Sequence, residues 1–488
     1  MSIRFRSLML ALLFGAFTTP AWALTPIQEP PVEEEELVDE VVEEEVVEED
    51  AVQDEEIVEE PAEDPNSPYL AIVGGDVYTV TRGVILDGTV LCKDGRILKV
   101  GQDIAIPDGA RMVRADGMRV YPGLVAVDSR GIIPGRGTDS VDSFDPFALY
   151  VDLALAGGLT TVQSRSTIGK LTRGTLDGHL VGTTAWVEIS YSTSSPSGRR
   201  TTRARLETAR EFLRDQRAYE LDKQLGKKDL VEPETKGMPM DYVGLLKGER
   251  MARFRGNTAS DLIAICELLE EFPMRSVIVG GREAWTMAPR IGRTGASMVL
   301  TPRAKDWADD ELNRPSGWSI ENARILWDSG VEFAILPGQT SISLGGLAGR
   351  DLLTLPMEVA FAIRGGLNQE AALRSVTLDA ARILGVADRI GSIEVGKDAD
   401  LIITDGDLFD YRTFVQWAVV NGRVAYDKQK ASYFAHIRPR EEGEMNPVEV
   451  LLEDITEGEA EMQDEVMEEA AEVDAPEVDT PSGGDGGR

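Results

Sequence analysis

The chain has 488 residues, 85 acidic against 50 basic side chains, a formal net charge of −35, two histidines and two cysteines. That charge balance argues against nucleic-acid binding, and the cysteine count rules out a disulfide-built scaffold. Two histidines in unrelated contexts, His179 and His436, cannot build a multi-imidazole metal centre.

Residues 1–23 carry Arg4 and Arg6, an apolar run over residues 8–17, and Ala21-Trp22-Ala23. This is the pattern of a secretory signal peptide with a small-x-small cleavage site, so the expectation is an exported chain, periplasmic or extracellular, beginning at Leu24. The run is too short to span a bilayer, and no later apolar stretch is long enough to do so. Residues 24–69 then hold 20 Asp and Glu with no Lys or Arg, and residues 441–488 hold 18 against one Arg. Together these stretches carry −37, and Arg4 and Arg6 bring the total to the chain's −35, so the body over residues 70–440 is close to neutral. Self-repelling acidic sequence with few aromatics buries too little apolar area to offset chain entropy. The segments 24–68 and 441–488 are therefore expected to be disordered acidic tails that keep the protein soluble or present it to a basic partner.

The body opens with strands. Residues 90–93 and 97–100 flank Asp94-Gly95-Arg96, and residues 414–420 and 423–426 flank Asn421-Gly422. Asp-Gly and Asn-Gly suit the positive φ angles of tight hairpin turns. Between these β-rich ends, short apolar strands are predicted at residues 123–127, 159–163, 186–189, 276–279, 297–301 and 332–336. Helices are predicted at 148–156, 202–224, 259–272, 320–329 and 357–364. Alternating strands and helices imply a parallel sheet, and their number favours a (β/α)8 barrel. An open doubly wound sheet is the alternative, weakened because no Gly-rich phosphate turn follows the first strand. Cys92 in a strand and Cys266 in an apolar helix read as two buried thiols rather than a bridge.

Three stretches carry a family resemblance: Tyr121-Pro122-Gly123-Leu124, Gly157-Gly158-Leu159-Thr160-Thr161-Val162, and residues 391–401, Gly-Ser-Ile-Glu-Val-Gly-Lys-Asp-Ala-Asp-Leu. Residues 142–147 and 372–377 add to it. The body resembles the amidohydrolase superfamily in its imidazolonepropionase-like branch. The resemblance implies a barrel over residues 121–388 and a small β-sandwich assembled from residues 69–120 and 389–440. It also implies zinc or another divalent metal that activates water for C–N bond hydrolysis.

The positions matching the family's metal ligands are altered. Its first strand ends in His-x-His, where this chain has Asp128 and Arg130. Alternation puts both on one face of the strand, and an ion pair between them is expected rather than a metal. The next ligand position falls at Arg255 or Asn257, and the one after it at Gly280, which has no side chain. The last should present an Asp, but the stretch around Gln339 has no carboxylate. No metal and no cofactor are therefore expected. His179 reads as a surface residue in a Gly-rich connection, and Asp139, Asp142 and Asp145 read as loop and cap residues. The basic cluster Arg199, Arg200, Arg203 and Arg205 is a candidate receiver for an acidic tail.

The leading expectation is a pseudoenzyme that binds a small carboxylate-bearing ligand or a partner at a pocket of Asp128, Arg130, Arg255, Asn257, Gly280 and Gln339. One alternative is an active hydrolase of non-peptide C–N bonds with a rearranged site, using Asp128, Asp139 or Glu188 as general base. Another is an accessory subunit paired with an active relative, or a homo-oligomer.

Overall fold

The hairpin signals mark two ends of one sheet. A computed structural model of the chain describes residue 64 and residues 67–134, 142–228, 230–305, 307–308, 312–344, 350–431 and 433–434. All of these lie in one of the chain's two compact units, Pro61–Arg488. The first strands are β1 (Tyr69–Tyr78), β2 (Val84–Lys93), β3 (Arg96–Gly101), β4 (Arg111–Arg114) and β5 (Arg119–Pro122). Asp94 and Gly95, between β2 and β3, sit at φ 49° and 80°. Such a turn matches the twist of the strands it joins.

From β5 the chain passes through Gly123 into β6 (Leu124–Ala126). Glycine is required there because a Cβ would lie 2.0 Å from Thr160 Oγ1. There follow α1 (Leu149–Ala156), β7 (Leu159–Ser164), β8 (Thr167–Lys170), β9 (Leu180–Thr183), β10 (Trp186–Ile189), α2 (Pro196–Gln224), α3 (Met240–Lys247) and β11 (Met251–Gly256). The second half has α4 (Ala259–Glu271), β12 (Ser276–Gly280), α5 (Ala288–Thr294), β13 (Ser297–Leu300), α6 (Asn322–Asp328), β14 (Phe333–Ile335), α7 (Leu355–Arg364), α8 (Gln369–Ser375) and α9 (Leu378–Leu384). β6 and β7 pair in parallel, and β10 to β14 run parallel in chain order. The two arcs meet where Arg130 N donates to Thr340 O at 2.7 Å and Arg130 bridges Ser341 in parallel.

The fold is thus a TIM-like barrel of the (β/α)8 class, with seven parallel strands among the described residues. It departs from simple alternation between β7 and β10, where β8 and β9 pair antiparallel in a meander that starts on β7. β11, α3 and α5 are further elements that sequence patterning missed. α4 forms where expected: Thr258 accepts from Asp261 N at 3.3 Å, and Leu262, Ile265, Cys266 and Leu269 bury its inner face.

The arginines of α2 are largely engaged within the fold. Arg199 stacks on Tyr191 and Arg205 on Tyr242, while Arg203 pairs with Glu271 and donates to Tyr191. They cover aromatic surface.

The chain returns to the first sheet as β15 (Leu401–Thr404), β16 (Val415–Val420) and β17 (Arg423–Asp427), giving the order β17-β16-β15-β5-β1-β2-β3 with β4 also on β1. Leu70, Ile72, Val90, Cys92 and Ile97 pack with Ile393, Leu401, Ile403 and Val419 in a separate core. The Lys-Asp-Ala-Asp stretch before β15 has a structural task. Lys170, wholly buried on β8, contacts Asp398 at 2.7 Å, Asp400 at 2.9 Å and Asn421 Oδ1 at 2.5 Å. Arg389 holds the same Asp398 through Nε and Nη2. Two carboxylates and two cations thereby join the barrel's meander to the first sheet.

Candidate functional site

β11 decides what the barrel mouth contains. A Cβ on its last residue, Gly256, would meet Ile265 and Leu262 of α4, so Ala252, Phe254 and Gly256 face the helix layer. By alternation Arg253 and Arg255 face the barrel axis. Both line a cavity of about 360 Å³ with Asp128, Arg130, Val279, Thr301 and residues 336–341.

The structure therefore brings together Asp128, Arg130, Arg255 and Gln339 among the residues singled out in sequence. Gln339 donates from Nε2 to Ser341 Oγ at 3.3 Å. Asn257 and Gly280 stand elsewhere. Gly280 has φ 111°, and a Cβ there would lie 2.3 Å from Asn257 Oδ1. The backbone at this point is formed for glycine and leaves no room for a ligating side chain.

Sequence reasoning missed Arg253, which organises the site. Its Nη1 lies 2.9 Å from Glu188 of β10 and its Nη2 lies 3.4 Å from Asp128. Its guanidinium is 5.0 Å from the Trp186 ring centroid, and its buried Nε has no hydrogen-bond partner. The expected pair between Asp128 and Arg130 is replaced by this one. Alternation sends Asp128 and Arg130 into the same cavity, where Arg253 reaches the carboxylate from the facing strand. Arg130 and Arg255 form no side-chain ion pair among the described residues. Among the described residues the cavity wall thus has three guanidiniums and one carboxylate, and that carboxylate is already paired.

This donor set does not fit the divalent metal that the resemblance implies. Hard and borderline cations need carboxylate, imidazole or thiolate donors, and guanidinium offers none. Among the described residues no group of three or more His, Cys, Asp or Glu is placed to hold a metal ion.

His179 is buried, not exposed as expected from its Gly-rich context. Its ring stacks on Phe144 at 3.7 Å, Nδ1 donates to Lys170 O at 2.7 Å, and Nε2 has no partner. Burial pushes its pKa down, against a smaller opposing effect of the Lys170 carbonyl. It supports the meander and does not line the mouth cavity. His436 and Asp139 lie outside the described residues. Asp145 caps a turn by accepting from Phe147 N at 2.9 Å. Cys92 and Cys266 are free and buried.

Comparison with known proteins agrees with this architecture. The profile of the Amidohydrolase family matches residues 294–432. An imidazolonepropionase of Sphingopyxis alaskensis is 26% identical over 381 residues, covering 69% of this chain and 90% of the relative. One from Mesorhizobium japonicum is 24% identical over 368 residues, covering 66% and 87%. The crystal structure of an amidohydrolase from Thermotoga maritima superposes with a TM-score of 0.56 at 25% identity, covering 73% of this chain and all of that one. In sequence and in fold the chain is similar to the amidohydrolase superfamily. Within it, the similarity lies with the imidazolonepropionase-like branch.

Proposed function

We propose that this chain is an exported, metal-independent member of its superfamily that captures a small carboxylate-bearing ligand at the barrel mouth. One observation carries the reading: Arg130, Arg253 and Arg255 line one cavity whose only carboxylate among the described residues, Asp128, is already paired. Guanidiniums bind carboxylates in a fork geometry, and pairing strengthens where water is excluded. Trp186 and Glu188 hold Arg253 in place, which lowers the ordering cost of binding. The ligand would be an amino-acid derivative or short acidic molecule, since the cavity is at the small end of ligand pockets.

A second reading is a hydrolase of a cyclic amide or related C–N bond, supported by alignment along 90% of an imidazolonepropionase. The two separate on metal content and turnover. Purified protein is expected to contain no stoichiometric zinc, manganese or iron and to leave cyclic amides intact. One equivalent of metal with chelator-sensitive hydrolysis would establish the second reading instead.

A further inference from the structure

Away from the barrel mouth, two hairpin turns of the other sheet meet glycine to glycine. A Cβ on Gly422 would lie 3.0 Å from Gly95 Cα, and one on Gly95 would lie 3.0 Å from Asn421 O. This close approach brings Arg96 and Arg423, the first residues of β3 and β17, to one rim. Arg111, the first residue of β4, joins them by donating from Nη2 to Gly422 O at 3.1 Å. All three line a cleft of about 740 Å³ beside the Lys170 network.

The ion pairs at this cleft belong to other groups. Asp398 holds Lys170 and Arg389, and Arg173 holds Asp152. Arg96, Arg111 and Arg423 form no ion pair among the described residues, although Asp94 and Asp177 also line the cleft. Arg96 spends one N–H on Gly396 O at 3.3 Å, and the buried Nε of Arg111 has no partner at all. Several forked donors converging from three strands suit a tetrahedral anion, which presents oxygens in more than one plane.

We propose that this cleft binds a phosphate group, free or as the monoester of a small molecule, between Arg96, Arg111 and Arg423. The volume leaves room for an organic group beyond the phosphate.

The test is calorimetric titration of the full chain with inorganic phosphate and with glycerol phosphate. It is run in an Arg130→Gln, Arg255→Gln background, which weakens any binding at the barrel mouth. Saturable binding at one equivalent is expected, weakened about tenfold or more by Arg111→Gln or Arg423→Gln, each a charge-assisted contact. Melting temperatures of the variants identify any that fail to fold, and Arg96→Gln serves as the replacement for either. Tighter binding of the ester assigns the site to phosphorylated molecules, and equal affinity assigns it to free phosphate. Absence of saturable binding by both, or binding indifferent to the arginine substitutions, overturns the proposal.

Discussion

Replacing Lys170 with Met tests the network that joins the barrel to the first sheet. The substitution keeps most of the length of the side chain and removes its charge. Lys170 is wholly buried, and the side chains of Asp398 and Asp400 are 5% and 4% exposed. The two carboxylates would not suffer equally. Asp398 keeps both Arg389 donors, Nε and Nη2, on its Oδ2 at 3.0 and 2.7 Å. Asp400 keeps only the backbone N–H of Asn421 at 2.9 Å. Its Oδ2 meets Lys170 as an ion pair whose alignment falls short of a hydrogen bond, so Met leaves that oxygen with nothing. Stranding a buried charge by removing its partner costs about 3–5 kcal/mol, which moves the folding equilibrium by about a hundredfold or more. Urea unfolding should show a lower midpoint at unchanged slope. Adding Asp400→Asn to Lys170→Met should recover part of the loss, because it removes the unpaired charge. A Lys170→Met variant within about 1 kcal/mol of the parent, the range of an exposed pair, would refute the reasoning, as would no recovery in the double variant.

Other consequences are checked more simply. His179 has a lowered pKa, so the folded state prefers the neutral ring; stability is complete above the ordinary value of 6.5 and falls as the pH drops below it. His179→Gln should flatten the stability profile between about pH 5 and 7, the range in which histidine titrates. Burial raises the thiol pKa of Cys92 to about 12 and of Cys266 to about 11. A thiol reagent at neutral pH should therefore modify neither in native protein and both after unfolding. Arg253→Ala should cost about 1–2 kcal/mol, discounted because Glu188 is 60% exposed. The same change should abolish ligand capture, and an unaltered affinity would count against its place in the site.

What could be read in the sequence was local. Asp94-Gly95 and Asn421-Gly422 adopt positive φ on their own chemistry, so both hairpins were visible without the rest of the fold. Gly123 was visible as part of a motif, although only the packing of Thr160 explains it. β11 was hidden because Arg253 and Arg255 interrupt its apolar pattern: they face a wet barrel mouth instead of the core. The partner of Asp128 was misassigned for a related reason, since the nearest arginine in sequence is Arg130 and the one in contact is 125 positions away. His179 was read as exposed from its glycine neighbours, whereas its burial depends on Phe144 and on a meander with short, weakly patterned strands. At the barrel mouth, four of six proposed pocket residues line the cavity. Gly280 does not, because alternation turns its neighbour Val279 to the cavity, and Asn257 lies past the end of β11 with its Oδ1 against Gly280.

The central claim is that the barrel mouth is an anion receptor and not a metal site. Its most direct test is calorimetric titration of metal-free protein with glutarate and N-acetylglutamate, in parallel with an Arg130→Gln, Arg255→Gln double variant. The account predicts saturable binding of at least one carboxylate by the parent, weakened about tenfold or more in the double variant and unchanged by chelator. Binding that survives loss of both guanidiniums, or that appears only after zinc is supplied, would contradict it.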